Sequence, residues 1–297
     1  DDLNRQIISE KRLFWDDTVC KFGLEAPSEG YSDSDEDLKN MANDESRKIK
    51  DGIIRFYGND KWALLIGHKN KKNEGLDEDG ILNFLPNDCI VMHDHLLANY
   101  DEKYNFVNAE CNEHIKRYLK KNIDEFPEHK WASKMRELLI KTNSERNELI
   151  DKEITEFDNQ KINDIYTQYD EILAEGEKEN NDVDLTYVKI KNEERNLIDR
   201  LKKFKDNHLL FVKDFTVAFT NNTSERGLRQ VKRKLAVSFS FKNINRMKDY
   251  AIILSYLETC YRNSISRFEA LKRLVNGNPY SVDEIRQRSQ KVEKSIA

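Results

Sequence analysis

Residues 89–95 of the chain have the sequence Cys-Ile-Val-Met-His-Asp-His. Four apolar residues follow a turn signal at residues 86–88 and end in a polar triplet. This pattern predicts a buried central strand with apolar side chains on both faces. In open sheets, ligands gather beyond the carboxyl ends of parallel strands. Asp94 stands at such an end, so its carboxylate could either reach a metal or simply cap the turn.

Other elements precede and follow this strand. Residues 52–57 and 62–66 predict two strands, and the turn signal between them predicts a hairpin. A short helix is expected at residues 74–82, a further strand at 106–111 and a helix at 112–121. This order of strands and helices predicts a mixed fold, α/β or α+β.

The region between residues 126 and 211 has a different pattern of charged and apolar residues. Residues 144–154 and 193–204 are rich in charge with sparse apolar positions, which predicts long amphipathic helices separated by a polar break at 175–184. We expect an all-helical insertion here. Two further helices are predicted, one beginning at residue 222 and one over residues 247–261, the second buried on most sides.

The two ends of the chain are polar. An acidic cluster at residues 32–37 leads us to interpret most of the first 50 residues as linker. We therefore expect a polar N-terminal segment over 1–43, a core built from 44–124 and 211–277, the helical insertion over 125–210 and a polar tail over 278–297. The first residue is Asp and not Met, so we interpret the sequence as a fragment.

Composition limits the class of protein. The chain has 297 residues, of which 35% are charged, and a net charge of -5, enough for one large domain or two smaller ones. No apolar stretch approaches the length of a membrane span, and no signal-peptide pattern is present. Four scattered cysteines without a C-x-x-C pair argue against a zinc ribbon and suit a reducing cytosol. We expect a cytoplasmic protein that does not enter a membrane.

Positive charge is concentrated between residues 226 and 248. No acidic residue interrupts this segment, and Phe239 and Phe241 are interleaved with the basic side chains. The eight basic residues are Arg226, Arg229, Lys232, Arg233, Lys234, Lys242, Arg246 and Lys248. Such a stripe can neutralise DNA phosphates, although a solvated helix face that pairs with the acidic helices is the alternative.

Three other candidates also have a purely structural alternative. Glu225 ends a capping-box pattern, Asn222-Thr-Ser-Glu, so its role could be local. Asp44 could be a solvated charge in an acidic segment. The zinc-ligand types at short spacing are His93, His95, Cys111 and His114. Their spacing is not that of a standard finger, and we expect the histidines to flank an acidic site or to pack.

Several blocks of the sequence resemble one transposase family. Residues 89–95, followed by Ala-Glu-Cys-Asn-Glu-His-Ile-Lys-Arg-Tyr-Leu at 109–119, resemble the second catalytic block of the insertion-sequence-66-type transposases. Residues 192–201 and 209–214 resemble the segment before the third block. Residues 221–229, with Lys232 and Lys234 behind them, resemble its N-N-x-x-E-R-x-x-R block, and 250–255 resemble the closing helix. The resemblance runs from Asp44 to Leu274 and includes several unusual blocks in the right order.

The resemblance implies a ribonuclease-H-like core with a large helical insertion and a D-D-E active site. By motif, Asp94 is the second Asp and Glu225 is the Glu. The first Asp should open a D-E-T-like motif after a strand, ahead of a hairpin with Trp. Asp44-Glu-Ser, ahead of Trp62, is our match, although residues 37–43 are more polar than the usual first strand.

The implied activity is metal-dependent cleavage of double-stranded DNA at element ends and strand transfer into a target, by a homo-oligomer on DNA. Three carboxylates would hold two Mg²⁺ or Mn²⁺ ions. The expected DNA contacts are Arg226, Arg229, Lys232, Lys234, Lys242, His95, His114 and Arg117. The alternatives are an inactive DNA-binding descendant, a helical interaction scaffold and a simple nuclease.

Overall fold

The structure is a computed structural model that describes residues 2–23, 49–69, 73–181 and 188–296. The chain divides into two compact units. Unit 1 contains residues 1–91, 97–107 and 222–297, and unit 2 contains residues 92–96 and 108–221.

Five strands form one sheet in the order β3-β2-β1-β4-β5. They are β1 Arg12–Gly23, β2 Ile49–Gly58, β3 Ala63–His68, β4 Ile90–His93 and β5 Val107–Glu110. Strands β1, β2 and β3 pair antiparallel. The Val107 amide donates to the Cys89 carbonyl and the Cys111 amide to the His93 carbonyl, so β4 and β5 run in the same direction. The predicted mixed fold and the four predicted strands are confirmed.

The middle strand of the sheet, β1, lies in the stretch that we interpreted as linker. That prediction is wrong for residues 2–23, which form helix α1 Asp2–Ile8 and strand β1. Leu13 and Trp15 are buried on one face of the sheet, whereas Cys20 and Phe22 are buried on the other. This alternation has the period of a strand. The acidic residues that follow β1 in the chain dominate the average composition of the first 50 residues, so composition alone did not indicate the strand.

Helices cover both faces of the sheet within unit 1. On one face, Cys20 and Phe22 share a buried cluster with α9 Asn222–Ser238 and α10 Ile244–Arg262. On the other face, Leu13 and Trp15 share a cluster with α1 and the C-terminal helices. The remaining helices of unit 1 are α2 Asn73–Glu78, α11 Arg267–Val275 and α12 Val282–Ile296. Short 3-10 turns occupy Leu82–Phe84 and Leu97–Tyr100.

Two sequence expectations for the end of the chain need correction. The polar tail contains helix α12, because its apolar residue Ile285 is buried in the core. Helix α10 is not buried on most sides, since Ile252 and Ile253 are 67% and 42% exposed. The stripe through Met247, Ala251 and Leu254 lies in one core cluster and Cys260 lies in the other, so the helix is amphipathic with one face on the sheet.

Unit 2 is mainly helical. Its helices are α3 Asn112–Glu125, α4 Trp131–Ile150, α5 Asn159–Asn181, α6 Val188–Lys203, α7 Lys205–His208 and α8 Leu210–Lys213. Helix α5 continues to Asn181, so the predicted break from residue 175 is wrong over that part, and residues 182–187 lie outside the described ranges. The buried Glu194 carboxylate joins three of these elements, accepting hydrogen bonds from Asn180 at 3.0 Å and Trp131 at 2.7 Å.

Helix α9 approaches the sheet closely at Gly227. A Cβ atom added to Gly227 would lie far inside van der Waals contact with two ring carbons of Phe56. Phe56 on β2 is directly opposite Asp16 on β1. The absence of a side chain at residue 227 therefore determines how closely the first half of α9 lies over these two strands.

We predict that Gly227→Ala destabilises the protein by about 1–3 kcal/mol, because the new methyl group would overpack the contact with Phe56. At an unconstrained helix position the same change would stabilise by about 1 kcal/mol. Denaturant unfolding measures the difference. Adding Phe56→Leu to Gly227→Ala should recover part of the loss, and a stabilised Gly227→Ala protein would contradict the close contact.

Candidate active site

Asp94 lies directly after β4, where an ion pair holds its side chain. Its Oδ1 atom is 3.0 Å from Nδ1 of His114 on α3. Cys111, the residue before α3, completes a group whose three potential ligand atoms all lie within 4.8 Å of one another. Asp94 is about one-third exposed, so its carboxylate is accessible from one side.

Two neighbours of His114, Asp94 and Cys111, make it a cation at neutral pH. The contact with the Asp94 carboxylate, followed by that with the Cys111 thiol, raises the pKa of His114 to about 10. Because the raised pKa lies above neutral pH, the imidazolium form is the stable one there and the contact with Asp94 is a salt bridge. His114 was predicted as a DNA contact, and the structure shows that it also contacts the candidate catalytic carboxylate.

The four zinc-ligand types do not converge within the described ranges. His93 is buried, with one ring nitrogen 2.7 Å from the Asp94 carbonyl and the other 2.7 Å from Asn108 Oδ1. His95 Nδ1 lies 2.6 Å from Glu110 Oε1, within hydrogen-bond distance. Only Cys111 and His114 share a site, and the third member of their group is Asp94. The two histidines on either side of Asp94 therefore have packing and positioning contacts.

Glu110, at the end of β5, is a fully buried carboxylate with three cationic or potentially cationic neighbours. Its oxygens are 2.6 Å from His95 Nδ1 and 2.8 Å from Arg200 Nη2. His208 Nδ1 is 3.4 Å away, but burial lowers the pKa of His208 to about 3, so this ring is neutral. Arg200 of α6 is the neighbour with a permanent charge, and its ion pair with Glu110 connects α6 to the end of β5.

We predict that Glu110→Gln lowers the free energy of unfolding by about 3–5 kcal/mol, because it leaves the Arg200 charge without its buried partner. The matched control is Glu113→Gln, which removes a more exposed carboxylate paired with Lys116 at 2.7 Å on α3. The control should cost at most about 1 kcal/mol. Equal losses in the two variants would contradict the role assigned to Glu110.

Glu225 lies in the first turn of α9, the helix whose Gly227 contacts Phe56. Phe56 is the register partner of Asp16, and Asp16 points to the same face of β1 as Cys20, which packs beneath α9. Within unit 1, the half-buried Glu225 and Asp16 therefore belong to one face of the sheet.

Asp16 is a candidate that our sequence reasoning missed. Asp44 lies outside the described residues, so its selection as the first Asp stays a prediction. Asp16-Asp-Thr18 follows the apolar residues Leu13, Phe14 and Trp15 within a strand. A D-E-T-like motif after a strand is what the family pattern requires, and the apolar run before Asp16 was the signal that could have found it.

The predicted basic contacts differ in their surroundings. In unit 1, Arg226, Arg229 and Lys232 are exposed on α9, and Lys242 is exposed beyond it. Lys234 instead contacts the residues just beyond the end of α9. Its Nζ donates to the Ser240 carbonyl oxygen at 2.9 Å and lies 3.6 Å from the centre of the Phe241 ring. In unit 2, Arg117 is exposed on α3.

Comparison with known proteins decides the family. The family model described as "Transposase IS66 family" matches residues 1–248, which is most of the chain. The chain belongs to the IS66 transposase family. A search of curated proteins and a search of solved structures found no match. Membership makes DNA the expected partner of this transposase, and the match begins at residue 1, so it includes β1 and Asp16.

Over the part of the chain that the structure describes, no helix is both long and apolar enough to cross a bilayer.

Proposed function

We propose that this chain is the catalytic part of a DNA transposase that cleaves strands at element ends and transfers them into target DNA. One observation supports the proposal: Asp16 lies within β1, Asp94 directly follows β4 and Glu225 lies in the first turn of α9, which is the order of carboxylates in the D-D-E pattern of the family. The strand order β3-β2-β1-β4-β5, with an antiparallel β1–β3 and parallel β4 and β5, supports a ribonuclease-H-like core. The helices of unit 2 between β5 and α9 support the helical insertion.

Asp16 is our proposal for the first carboxylate, in place of Asp44. It lies in the middle strand of the sheet, on the face covered by α9, and α9 carries Glu225 in its first turn. Asp17 points to the opposite face of β1, where Leu13 and Trp15 are buried. By its place after β4, Asp94 supplies the second Asp of the family pattern.

The residues fit hard divalent cations. Carboxylate oxygens are the ligands that Mg²⁺ and Mn²⁺ prefer, and Asp16, Asp94 and Glu225 are all partly accessible. Two bound ions would supply stabilisation of the attacking and leaving oxygens of an in-line phosphoryl displacement. His114 orients the Asp94 carboxylate through their 3.0 Å ion pair. Arg226, Arg229 and Lys232, exposed on α9 beyond Glu225, bind DNA phosphates.

The first test compares carboxylate variants in DNA cleavage. Asp16→Asn, Asp94→Asn and Glu225→Gln should each lower Mn²⁺-dependent strand cleavage about 100-fold or more, because each removes a ligand charge from the reaction centre. The substrate is a labelled duplex that carries the ends of the chain's own element, and strand transfer is followed by joining to a plasmid.

Two matched variants serve as controls for that experiment. Asp17→Asn changes the neighbouring residue on the opposite face of β1, and Asp44→Asn changes the residue first predicted from the sequence. Both should retain cleavage. Loss of activity in Asp44→Asn with full activity in Asp16→Asn would return the first position to Asp44, and full activity in Asp94→Asn would end the proposal.

An inactive descendant is the second candidate, and the ion pair of Asp94 is the observation that favours it. A carboxylate already neutralised by the His114 imidazolium attracts a divalent cation less strongly than a free one. Such a descendant would bind DNA through its basic residues without cutting it.

Mn²⁺ titration by calorimetry separates the two candidates. A catalytic chain should bind Mn²⁺, and Asp16→Asn or Glu225→Gln should weaken that binding about 10-fold or more through loss of one charged ligand. Asp17→Asn is the control and should bind as the wild type does. Failure of the wild type to bind Mn²⁺ in the presence and absence of DNA would support the inactive descendant.

A further inference from the structure

An arginine-rich cavity lies in unit 1 beside α9. Its volume is about 750 Å³, and its walls come from α9, from the end of α10 and from the start of α11. Helix α9 contributes Arg226, Arg229 and Arg233, whose spacing of three and four residues puts them on one face of the helix. Arg262 and Arg267 line the cavity from the other elements. This concentration of guanidinium groups indicates an anionic ligand.

The five arginines are not equivalent. Arg267 is paired with the buried Glu258 carboxylate at 2.9 Å, and Arg226 lies 3.8 Å from the exposed Asp60. Arg262 is half-buried and donates to the backbone carbonyls of Asn59 and Thr223, so it supports the wall of the cavity.

Arg229 and Arg233 differ from the other three arginines. They are exposed, and neither has an ion pair or side-chain hydrogen bond with any residue that the structure describes. Their guanidinium groups are therefore available to a ligand, and the fork geometry of a guanidinium matches two oxygens of one phosphate.

Tyr261 gives the cavity an aromatic wall. The Arg267 guanidinium lies 3.5 Å from the centre of the Tyr261 ring, which is a cation–π contact on one side of the ring. The residue is nevertheless 54% exposed. An aromatic ring held by packing, next to arginines in a basic recess, is the arrangement on which unpaired bases stack in proteins that bind single strands.

We propose that this cavity binds an unpaired nucleotide of a DNA strand, with its phosphates on Arg229 and Arg233 and its base stacked on Tyr261. This inference rests on the proposed function, because it names the form of DNA that the transposase holds beside α9. The size of the cavity supports a single nucleotide, since it falls within the range of sites for small molecules and is far too small for a duplex.

The position of the cavity on α9 relates it to the candidate active site. Arg226 is adjacent to Glu225, and Arg229 and Arg233 follow one and two turns later on the same helix. A strand whose phosphates lie along this face of α9 would run towards the helix N-terminus, where Glu225 lies. The bound nucleotide would thus be a neighbour of the one that reacts.

The experiment is a binding measurement that does not depend on cleavage. Fluorescence anisotropy in EDTA compares a labelled oligo-dT of about 16 nucleotides with a blunt duplex of about 20 base pairs. Arg229→Gln combined with Arg233→Gln should weaken oligo-dT binding and lower the slope of log affinity against log salt by about 0.7 for each lost phosphate contact. Tyr261→Ala should weaken oligo-dT binding about ten-fold or more, and Tyr261→Phe should restore it.

Matched variants control for charge and for exposed aromatic area. Lys272→Gln removes a basic group of α11 that does not line the cavity, and Phe268→Ala removes a 79% exposed ring of the same helix. Both should leave oligo-dT binding unchanged, and thermal unfolding checks that each variant is folded. Two results would overturn the proposal: Tyr261→Ala binding oligo-dT as the wild type does, or the arginine variants losing duplex binding as strongly as strand binding.

The two proposals can fail separately in this design. The binding measurement in EDTA contains no divalent metal, so its outcome does not depend on whether Asp16, Asp94 and Glu225 form a metal site. A chain that shows the predicted binding pattern but never cleaves DNA would contradict the proposed function while supporting the cavity. A chain that cleaves DNA normally with Tyr261→Ala in place would contradict the role of the cavity and leave the proposed function unaffected.

Discussion

The contact between Gly227 and Phe56 determines how the candidate catalytic helix meets the sheet. Glycine in the middle of a helix costs about 1 kcal/mol relative to alanine, so its presence there needs a reason in packing. The reason is that the Phe56 ring occupies the space where a Cβ would lie. Since Phe56 is opposite Asp16 and Glu225 is two residues before Gly227, this contact aligns the first turn of α9 with the middle strand.

Buried charges in both units add a second kind of constraint. In unit 1, Arg55 is 2.9 Å from Asp79, and the Tyr57 hydroxyl donates to the same carboxylate at 2.8 Å, which ties β2 to the turn after α2. In unit 2, the ion pair between Glu110 and Arg200 connects β5 to α6 in the same way. Desolvation offsets much of the attraction in such pairs, so their main contribution is to fix one geometry. Glu110 also holds His95, the residue that follows Asp94.

The sequence allowed some of these features to be predicted and concealed others for physical reasons. The buried strand before Asp94 was predictable because an apolar run bounded by turns has few other interpretations. Strand β1 has apolar residues at a spacing of two on each face, Leu13 and Trp15 on one and Cys20 and Phe22 on the other, but the acidic residues after it led us to interpret the whole segment as linker. Local periodicity is the stronger evidence for a strand, and a window of ten residues would have revealed both β1 and the Asp16-Asp-Thr motif.

Contacts between residues distant in the chain could not be predicted in the same way. The C-N-x-H pattern marked Cys111 and His114 as unusual, yet nothing in their spacing showed that the His114 ring would meet Asp94. The charge balance of Glu110 depends on Arg200, which is 90 residues away in the chain. Periodicity describes which side of an element faces the core, whereas partners across elements depend on the fold as a whole.

Helix α9 combines three requirements, and its sequence satisfies each on a different part of its surface. Gly227, Leu228 and Val231 face the sheet, Glu225 lies at the N-terminal turn, and the three arginines line the cavity. Because one rigid helix carries all three, a shift that improves packing on the sheet would also move the carboxylate and the arginines. This coupling explains why a helix that must bury only a narrow stripe keeps a glycine at its tightest contact.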